Sequence, residues 1–394
     1  MQSDKRIPEL DGLRGIAAIM VLVWHFTGSL LDPALGWIAS TTYAATIFGR
    51  TGVDLFFVLS GFLIVGILID NRQSPSYFKT FYIRRAARIF PPYFALMAIY
   101  WLCFHLTGPN AAFNANPNFP VQFAAQSLFS YNILMAAADS YVSRGFSVTW
   151  SVAIEEQFYL VAPLVLWLTP VKHLRKLIII VGLTSALLRA ATYLAFPKYG
   201  LPIYVFTPFR LDCLCAGAFV ATIWRDPQIM KAIRERAAQV SAAVVGLACI
   251  APIMVYAILQ DIWWHMHVWG HFYLAVLYGV LLMWILLRID TGVRLLRIRP
   301  LQEAGRISYA LYLFHSLFLS LAFILAARPE RVTNWPDAAI ALGALVASVL
   351  ASYLSYHLLE KPIRAIGHRW RYEPGFPPAR PVPVTGVYGR LPGS

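Results

Sequence analysis

Long apolar runs recur along the whole chain and form the pattern expected of membrane-spanning helices. A run of about 20 residues lets a helix cross a hydrocarbon core of about 30 Å. Ten such runs lie at about 13–31, 52–69, 89–107, 148–169, 177–196, 204–224, 239–259, 269–288, 307–327 and 338–359. The pattern predicts an all-α integral membrane protein, a bundle of about ten transmembrane helices.

The stretch from 108 to 147 is ambiguous because it contains the moderately apolar segment VQFAAQSLFSYNILMAAA. This segment is polar for a lipid-facing helix, since it includes Gln122, Gln126, Ser127, Ser130 and Asn132. An additional span here would also move every later loop to the other side of the membrane. We therefore expect an outer loop that carries an interfacial or re-entrant helix.

The distribution of basic residues predicts the orientation. The chain has 394 residues and a net charge of +14, and only 13% of its residues are charged. With a cytoplasmic N-terminus, ten spans place 26 of the 33 Lys and Arg residues in cytoplasmic segments and five in outer loops. Because basic loops stay inside, we expect both termini in the cytoplasm. The basic charge is then a consequence of topology and does not indicate a nucleic-acid partner.

The two ends of the chain differ in character. The first apolar run lacks a small-residue cleavage pattern, so we expect it to stay in the mature protein. From about residue 372 proline and glycine are frequent and the apolar period is lost. The sequence thus predicts a membrane domain over 1–364 and a disordered Pro-rich cytoplasmic tail over 365–394.

Arg14 and His25 lie eleven residues apart in the first predicted span. At about 100° per residue, their side chains point within about 20° of one direction and lie about 16 Å apart along the axis. Arg14 can then lie at the headgroups while His25 lies near the middle of the membrane. Ionisable groups inside a bilayer cost free energy. An imidazole there must therefore have a hydrogen-bonding partner or serve a function.

Further ionisable residues fall at membrane depth, where each costs at least about 2.5–3.5 kcal/mol unless it is paired or hydrated. They are Asp54, Glu155, Glu156, Arg189, Arg210, Asp212, His315, His357 and Glu360. Their number predicts an interior polar cavity. Arg210 and Asp212 diverge on their own helix, so their partners must come from other helices. Glu155 and Glu156 point about 100° apart. We therefore expect one to face the cavity, while the other packs against a neighbouring helix or pairs with a basic residue.

A basic cluster of Arg84, Arg85 and Arg88 precedes the third span. The cluster fits two roles equally well. It can anchor the protein to anionic lipid headgroups, or it can bind a phosphate-bearing cytoplasmic ligand. Pro91 and Pro92 follow, and we expect them to close the preceding helix and begin the span.

No metal site is predicted from the cysteines and outer histidines. Cys213 and Cys215 diverge by about 200° on a helix, so they do not converge on one ion. His265, His267 and His271 lie among tryptophans at an outer membrane edge, where an aromatic belt is the simpler explanation. The common sequence signatures of soluble enzymes are also absent from the chain.

Seven segments together resemble the acyltransferase 3 family of membrane-bound O-acyltransferases. They are RIPELDGLRGIAAIMVLVWHF (6–26), GVDLFFVLSGFLI (52–64), IRRAARIFPPYF (83–94), TWSVAIEEQFYL (149–160), RLDCLCAGA (210–218), ISYALYLFH (307–315) and YHLLEKPIR (356–364). The resemblance covers about 360 residues in order. It implies a multi-pass protein of the bacterial inner membrane, with residues 1–364 as the acyltransferase domain. It also implies transfer of an acyl group, most often acetyl, from acyl-CoA to a hydroxyl of an envelope sugar or glycoconjugate.

The family's signature of Arg or Lys, ten residues and His corresponds to Arg14 and His25, and its R-x-x-R element corresponds to Arg85 and Arg88. The resemblance implies that His25 is the general base, with an acyl-histidine intermediate as the variant. It implies that Arg85 and Arg88, with the neighbouring Arg84, hold the 3′,5′-ADP part of coenzyme A. Arg14 would hold donor phosphates or order the cytoplasmic entrance.

Other candidates have less defined roles. Asp11 lies one turn before Arg14, and Asp54, Glu155 and Glu156 are candidates for orienting His25 or binding the acceptor. His315 is a weaker candidate. Nothing after residue 364 could form a soluble hydrolase-like domain, so we expect the whole transfer to occur on the membrane domain.

Two other classes of function fit part of the pattern. A transporter or flippase for a lipid-linked sugar would also need many spans, a polar cavity and charges near the midplane. Broken glycine-rich helices, its usual signal, are not evident in the sequence. A scaffold or receptor would not explain a histidine and so many charges inside the membrane. The acceptor, the acyl chain length and the oligomeric state are left open.

Overall fold

The computed structural model describes residues 7–107, 119–141, 145–260, 264–289 and 293–374. Within these ranges the chain is helical and contains no β-strand. Nine described helical segments are long and apolar enough to cross a membrane, and one apolar helix, at Leu211–Trp224, is shorter. The predicted all-α membrane architecture is therefore confirmed. Most of the predicted tail, residues 375–394, lies outside the described residues.

The helices follow one another with short connections. The first half of the chain forms α1 (Pro8–Val23), α2 (Trp37–Thr46), α3 (Gly52–Asp70), α4 (Tyr77–Thr107), α5 (Phe119–Ser127), α6 (Tyr131–Ala138), α7 (Thr149–Leu168), α8 (Val171–Ala195) and α9 (Gly200–Val205). The second half forms α10 (Leu211–Trp224), α11 (Pro227–Glu235), α12 (Ala237–Ala248), α13 (Ala251–Leu259), α14 (His271–Leu287), α15 (Arg299–Leu325), α16 (Trp335–Ser355) and α17 (Lys361–Gly367).

In the described parts of the chain, three π-helical turns adjoin α-helices, and each carries a histidine. The turns are Trp24–Gly28 at the end of α1, Met266–Gly270 before α14 and Tyr356–Glu360 after α16. A π turn leaves backbone groups poorly matched to the regular helical ladder and is frequent at functional sites. His25 lies in the first of these turns, so the backbone is irregular where the sequence places the candidate base.

Two helices begin inside the bundle. α3 follows a 3₁₀ turn, Ile47–Thr51, that packs against α1 at Met20 and Trp24. The predicted span 204–224 is broken, because Phe206 is extended and the turn Thr207–Phe209 separates α9 from α10. The run predicted as one span at 204–224 is therefore two helices. The break places Arg210 at the start of α10, facing the first turn of α3.

Glycines allow α3 and α10 to pack with their backbones in contact. A Cβ added to Gly61 would lie 1.9 Å from the carbonyl oxygen of Leu214, and one on Gly217 would lie 1.8 Å from that of Val58. Small residues permit such close approach where lipid supplies no hydrophobic force between helices. These contacts fix how the first turns of α3 and α10 face each other.

The third span differs from the prediction at its start. α4 runs without interruption from Tyr77 to Thr107 and contains Pro91 and Pro92. The two prolines thus do not close a preceding helix, and the basic cluster belongs to the same helix as the span. Membrane helices tolerate proline because neighbouring groups satisfy the carbonyls that lose their partners.

The described part of the ambiguous stretch forms a hairpin of two short helices, α5 and α6, that enters the bundle, while 108–118 and 142–144 lie outside the described residues. Its turn at Phe129 contacts the ring of Tyr93, and the Phe129 carbonyl accepts a hydrogen bond from Gln157 Nε2 at 2.9 Å. Asn132 donates to the carbonyl of Val205 at 3.2 Å. Polar side chains of the hairpin therefore bond within the protein, as expected for a re-entrant segment.

Basic segments gather at one end of the bundle, which we call the basic end. There Arg225 pairs with Asp70 at 2.6 Å, Arg175 pairs with Asp226 at 2.6 Å, and Arg84 donates to the carbonyl of Trp370. The opposite end carries the connections near 30–50, 139–141 and 326–334. The cytoplasmic position of the basic end is a prediction from the charge distribution.

Reporter fusions test this orientation. Fusions after residues 73 and 170 should report the cytoplasm, because these connections lie at the basic end. Fusions after residues 140 and 330 should report the opposite side. Alkaline phosphatase and fluorescent-protein activities in cells distinguish the two compartments. A cytoplasmic signal after residue 140 would reverse the inferred orientation of the re-entrant hairpin.

Substitution of Gly61 tests the packing of α3 against α10. Gly61→Ala should destabilise the protein by about 1–3 kcal/mol or more, because the new methyl group meets backbone rather than a flexible side chain. Gly246→Ala is the matched control, since a Cβ there has nothing within 4 Å. Thermal unfolding in detergent should show a lower midpoint for the first variant only. Equal midpoints would contradict the close contact.

Candidate active site

A polar cavity with a volume of about 70 Å³ lies between α1, α3, α4, α7 and α15 towards the basic end. We call it the arginine cavity. Its charged and hydroxyl-bearing lining residues are Arg14, Ser60, Arg85, Arg88, Ser151, Glu155, Glu156, Tyr159, Ser308, Tyr309 and Tyr312. Five separate helices supply these side chains, as the sequence predicts for embedded charges that need a shared polar space.

Three arginines converge in this cavity from two helices. Arg14 comes from α1, while Arg85 and Arg88 lie three residues apart and therefore on one side of α4. Asp11, one turn before Arg14, lies 3.6 Å from its guanidinium and steadies it. The arrangement can bind an anion with several phosphate groups, because guanidinium groups form paired, charge-assisted hydrogen bonds to phosphate.

The third arginine of the basic cluster is directed elsewhere. Arg84 Nε donates to the Trp370 carbonyl at 2.8 Å, and its guanidinium lies 5.2 Å from the centre of the Tyr372 ring. It is therefore held by the segment after α17 and is absent from the described lining. Adjacent helical residues point about 100° apart, so Arg84 and Arg85 face different neighbours, and the contribution of Arg84 to a donor site stays a prediction.

Both acidic residues of α7 border the arginine cavity, which corrects the expectation that only one does. Glu155 Oε1 accepts a hydrogen bond from Ser60 at 2.5 Å, and its Oε2 lies 3.2 Å from the Tyr159 hydroxyl. Glu156 has one buried oxygen, Oε1, with no hydrogen-bond partner among the described atoms. The cavity is wide enough to receive side chains that diverge by about 100°.

His25 contacts the second candidate histidine. The ring centres of His25 and His315 lie 4.7 Å apart in an edge-to-face arrangement. His25 Nδ1 lies 2.9 Å from the Val21 carbonyl, and His315 Nδ1 lies 2.7 Å from the Tyr312 carbonyl. A carbonyl only accepts, so in each neutral ring Nδ1 carries the proton and Nε2 is the basic nitrogen. His315 is fully buried, and its Nε2 has no hydrogen-bond partner in the described chain.

Tyr312 connects the histidine pair to the arginine cavity. Its ring lines the cavity beside Phe56, and its hydroxyl lies 2.6 Å from Ser151 Oγ. Its carbonyl binds His315 in the same turn of α15. Neither His25 nor His315 is among the described lining residues. Arg14 and His25 therefore lie on one helix, as predicted, but only Arg14 reaches the arginine cavity directly.

Asp54 belongs to a different cluster. Its Oδ1 accepts a hydrogen bond from Arg210 Nη2 at 2.6 Å and lies 3.4 Å from His271 Nδ1. Arg189 and Asp212 form a second buried pair at 2.7 Å. Arg210 and Asp212 thus have partners on other helices, as predicted. The described contacts of Asp54 do not include His25, so its predicted role as an orienter of His25 is not supported by its position.

Sequence reasoning missed several cavity residues and misjudged two histidines. Ser60, Tyr159 and Tyr309 line the arginine cavity, although uncharged hydroxyl groups in apolar runs carry little signal. His267 and His271 are buried, 7% and 2% exposed, rather than part of an interfacial belt. Their spacing of four residues, which places both on one helix face, was the available signal.

The chain is similar to known proteins over most of its length. A family model described as an acyltransferase domain matches residues 7–357. The chain is 27% identical to the peptidoglycan O-acetyltransferase OatA of Listeria monocytogenes, over 93% of this chain and 57% of the relative. It is 27% identical to the O-acetyltransferase OatA of Staphylococcus aureus, over 94% of this chain and 59% of the relative.

A putative peptidoglycan O-acetyltransferase, YrhL of Bacillus subtilis, is also 27% identical, over 93% of this chain and 56% of the relative. The chain thus spans somewhat more than half the length of these curated relatives. No solved structure matches it. The helical membrane architecture and the family match, which covers nearly the whole described chain, show that this protein belongs to the acyltransferase 3 family.

Proposed function

We propose that this protein is a membrane-bound O-acyltransferase that moves an acetyl group from acetyl-CoA to a hydroxyl of a carbohydrate. The observation that carries the proposal is the convergence of Arg14, Arg85 and Arg88 in one cavity, whose lining residue Tyr312 also contacts His315 of the His25–His315 pair. An anion site about three helical turns from a basic imidazole suits a donor with a phosphorylated end and a distant reactive end.

The arginine cavity would bind the donor. Coenzyme A carries its phosphates at one end and its thiol at the end of a long flexible arm. The three guanidinium groups outnumber the two carboxylates in the lining and would hold the phosphates. The acyl end would then extend past Ser151 and the ring of Tyr312 towards the histidines. Both Phe56 and Tyr312 line this side of the cavity, and their ring centres lie 6.0 Å apart.

His25 would be the general base. As the acceptor oxygen attacks the thioester carbonyl, Nε2 would take the hydroxyl proton, and the tetrahedral adduct would then expel coenzyme A as its thiolate. The imidazolium would return the proton to that thiolate, so that His25 ends the cycle neutral. The Nδ1 bond to Val21 supports this role, because it fixes the tautomer with a free basic Nε2. His315 would orient His25 through their ring contact.

Peptidoglycan is the acceptor that the names of two of the relatives suggest. We propose its glycan strand as the first acceptor to test. A transporter for a lipid-linked sugar remains the alternative class. The broken helix before α10 has the form seen in transporters. However, the Phe209 carbonyl at the break accepts a hydrogen bond from Arg189 at 2.5 Å. This contact gives the break a structural role, and the family match favours the acyltransferase.

Neutral replacement of two arginines tests the donor site. Arg85→Gln together with Arg88→Gln should weaken coenzyme A binding at least about 100-fold, since each lost charge-assisted contact costs about 1.5–3 kcal/mol. Arg84→Gln is the matched control on the same helix and should bind like the wild type, because Arg84 is held by Trp370. Calorimetry with coenzyme A on detergent-purified protein measures both. Unchanged affinity in the double variant would leave the cluster as a topology anchor.

Replacement of His25 tests the base. His25→Gln should lower acetyl transfer by about 10²–10⁴-fold, the usual contribution of a general base. Coenzyme A binding should change little, because the arginines lie about three helical turns away. His357→Gln, at an exposed histidine of another π turn, is the matched control and should retain full activity. Labelled acetyl-CoA with a glycan acceptor provides the rate. Full turnover in His25→Gln, with loss in His315→Gln, would move the role to His315.

A further inference from the structure

A second cavity lies towards the end of the bundle opposite the basic end and has a volume of about 170 Å³. We call it the far cavity. It is lined by the turn before α3 together with α9, α13 and the π turn before α14, and Arg50, Leu201, Tyr204 and His267 are among its lining residues. Nothing in the donor site described above uses this space.

Arg50 joins the far cavity to the candidate base. It lines the cavity, and its guanidinium lies 5.4 Å from the centre of the Trp24 ring. Trp24 directly precedes His25 in the same π turn. The histidine pair therefore has the arginine cavity on one side, through Tyr312, and the far cavity on the other, through Arg50.

The lining of the far cavity combines rings and hydrogen-bonding groups. Tyr204 is packed against the Arg210 guanidinium at 5.1 Å and the His271 ring at 5.6 Å, so its ring is held in place. The His267 ring stacks on Tyr193, and its buried Nδ1 has no hydrogen-bond partner among the described atoms. A buried polar atom without a partner costs about 1–3 kcal/mol, which a ligand hydroxyl would recover. Rigid rings with nearby polar atoms suit a sugar.

We propose that the far cavity binds the carbohydrate acceptor and that Arg50 positions it beside His25. The inference rests on the proposed acyltransferase function and adds the place of the second substrate. Donor and acceptor then approach the histidine pair from opposite ends of the bundle. The hydroxyl to be acylated enters past Arg50 while the thioester enters past Tyr312, so the two substrates do not compete for one opening.

Filling the cavity tests its role without removing a polar group. Leu201→Trp places a larger side chain in the lining and should raise the KM for a soluble acceptor at least about tenfold, with the KM for acetyl-CoA changed less than about twofold. The acceptor is a tetrasaccharide of alternating N-acetylglucosamine and N-acetylmuramic acid, used with the full chain in nanodiscs. Leu188→Trp, on an exposed face of α8, is the matched control and should leave both KM values unchanged.

A second variant tests the role of Arg50 between the far cavity and His25. Arg50→Gln should raise the acceptor KM and lower kcat together while coenzyme A binding is retained, because it loosens the acceptor next to His25. Arg331→Gln is its control at the same end, since Arg331 is exposed and paired with Asp32. An unchanged acceptor KM in both Leu201→Trp and Arg50→Gln would overturn the acceptor site and leave the acyltransferase proposal standing.

Direct binding separates failure of the site from failure of the proposed function. Saturation-transfer NMR of the same tetrasaccharide on the wild type and Leu201→Trp needs no turnover. If the wild type transfers no acetyl group, the proposed function fails, and binding still decides the cavity. Binding that is lost in Leu201→Trp supports the far cavity as the carbohydrate site, whereas equal binding or no binding in the wild type overturns it.

Discussion

A charge inside the bilayer must be paired within the protein, and the fold depends on how this chain meets that constraint. Asp54 and Arg210 are 2% and 0% exposed and form a direct ion pair between the first turn of α3 and the residue before α10. Removing one partner of such a pair typically costs about 3–5 kcal/mol, because the other charge is left buried. The pair therefore fixes the relative position of two helices that both begin inside the bundle.

Arg189 meets the same constraint for irregular backbone by donating hydrogen bonds to its carbonyls. It donates to the Phe209 carbonyl at the break before α10 and to the His267 carbonyl in the π turn before α14, and it pairs with Asp212. Carbonyls released by broken or widened helical turns need partners inside a membrane. One buried guanidinium thus stabilises both irregular segments, and the π turn before α14 forms part of the wall of the far cavity.

The arrangement around His25 separates the two ends of the bundle chemically. The arginine cavity has three arginines and several hydroxyl groups, while the far cavity combines rings and imidazoles with Arg50 and Asp54. The histidine pair lies beside Tyr312 on one side and Trp24 with Arg50 on the other. A membrane protein that joins a phosphorylated donor to a carbohydrate needs such separate environments, because one substrate demands positive charge and the other demands stacking and neutral hydrogen bonds.

The sequence by itself determined the helical membrane class, nearly all of the spans and the residues that carry charge at membrane depth. These follow from the length of apolar runs and from the cost of burying charge, which are properties of single segments. It also placed Arg14, Arg85 and Arg88 in one functional group, though only through resemblance to a family.

The tertiary structure alone decided which of these groups meet. Helical angles place Glu155 and Glu156 apart on α7, but the width of the cavity admits both, and contact with the segment after α17 removes Arg84 from it. The contact between His25 and His315 and the pairing of Asp54 with Arg210 join residues 290 and 156 positions apart in the chain. Periodicity reports directions on one helix, whereas such contacts depend on how separate helices pack, and no local pattern encodes that.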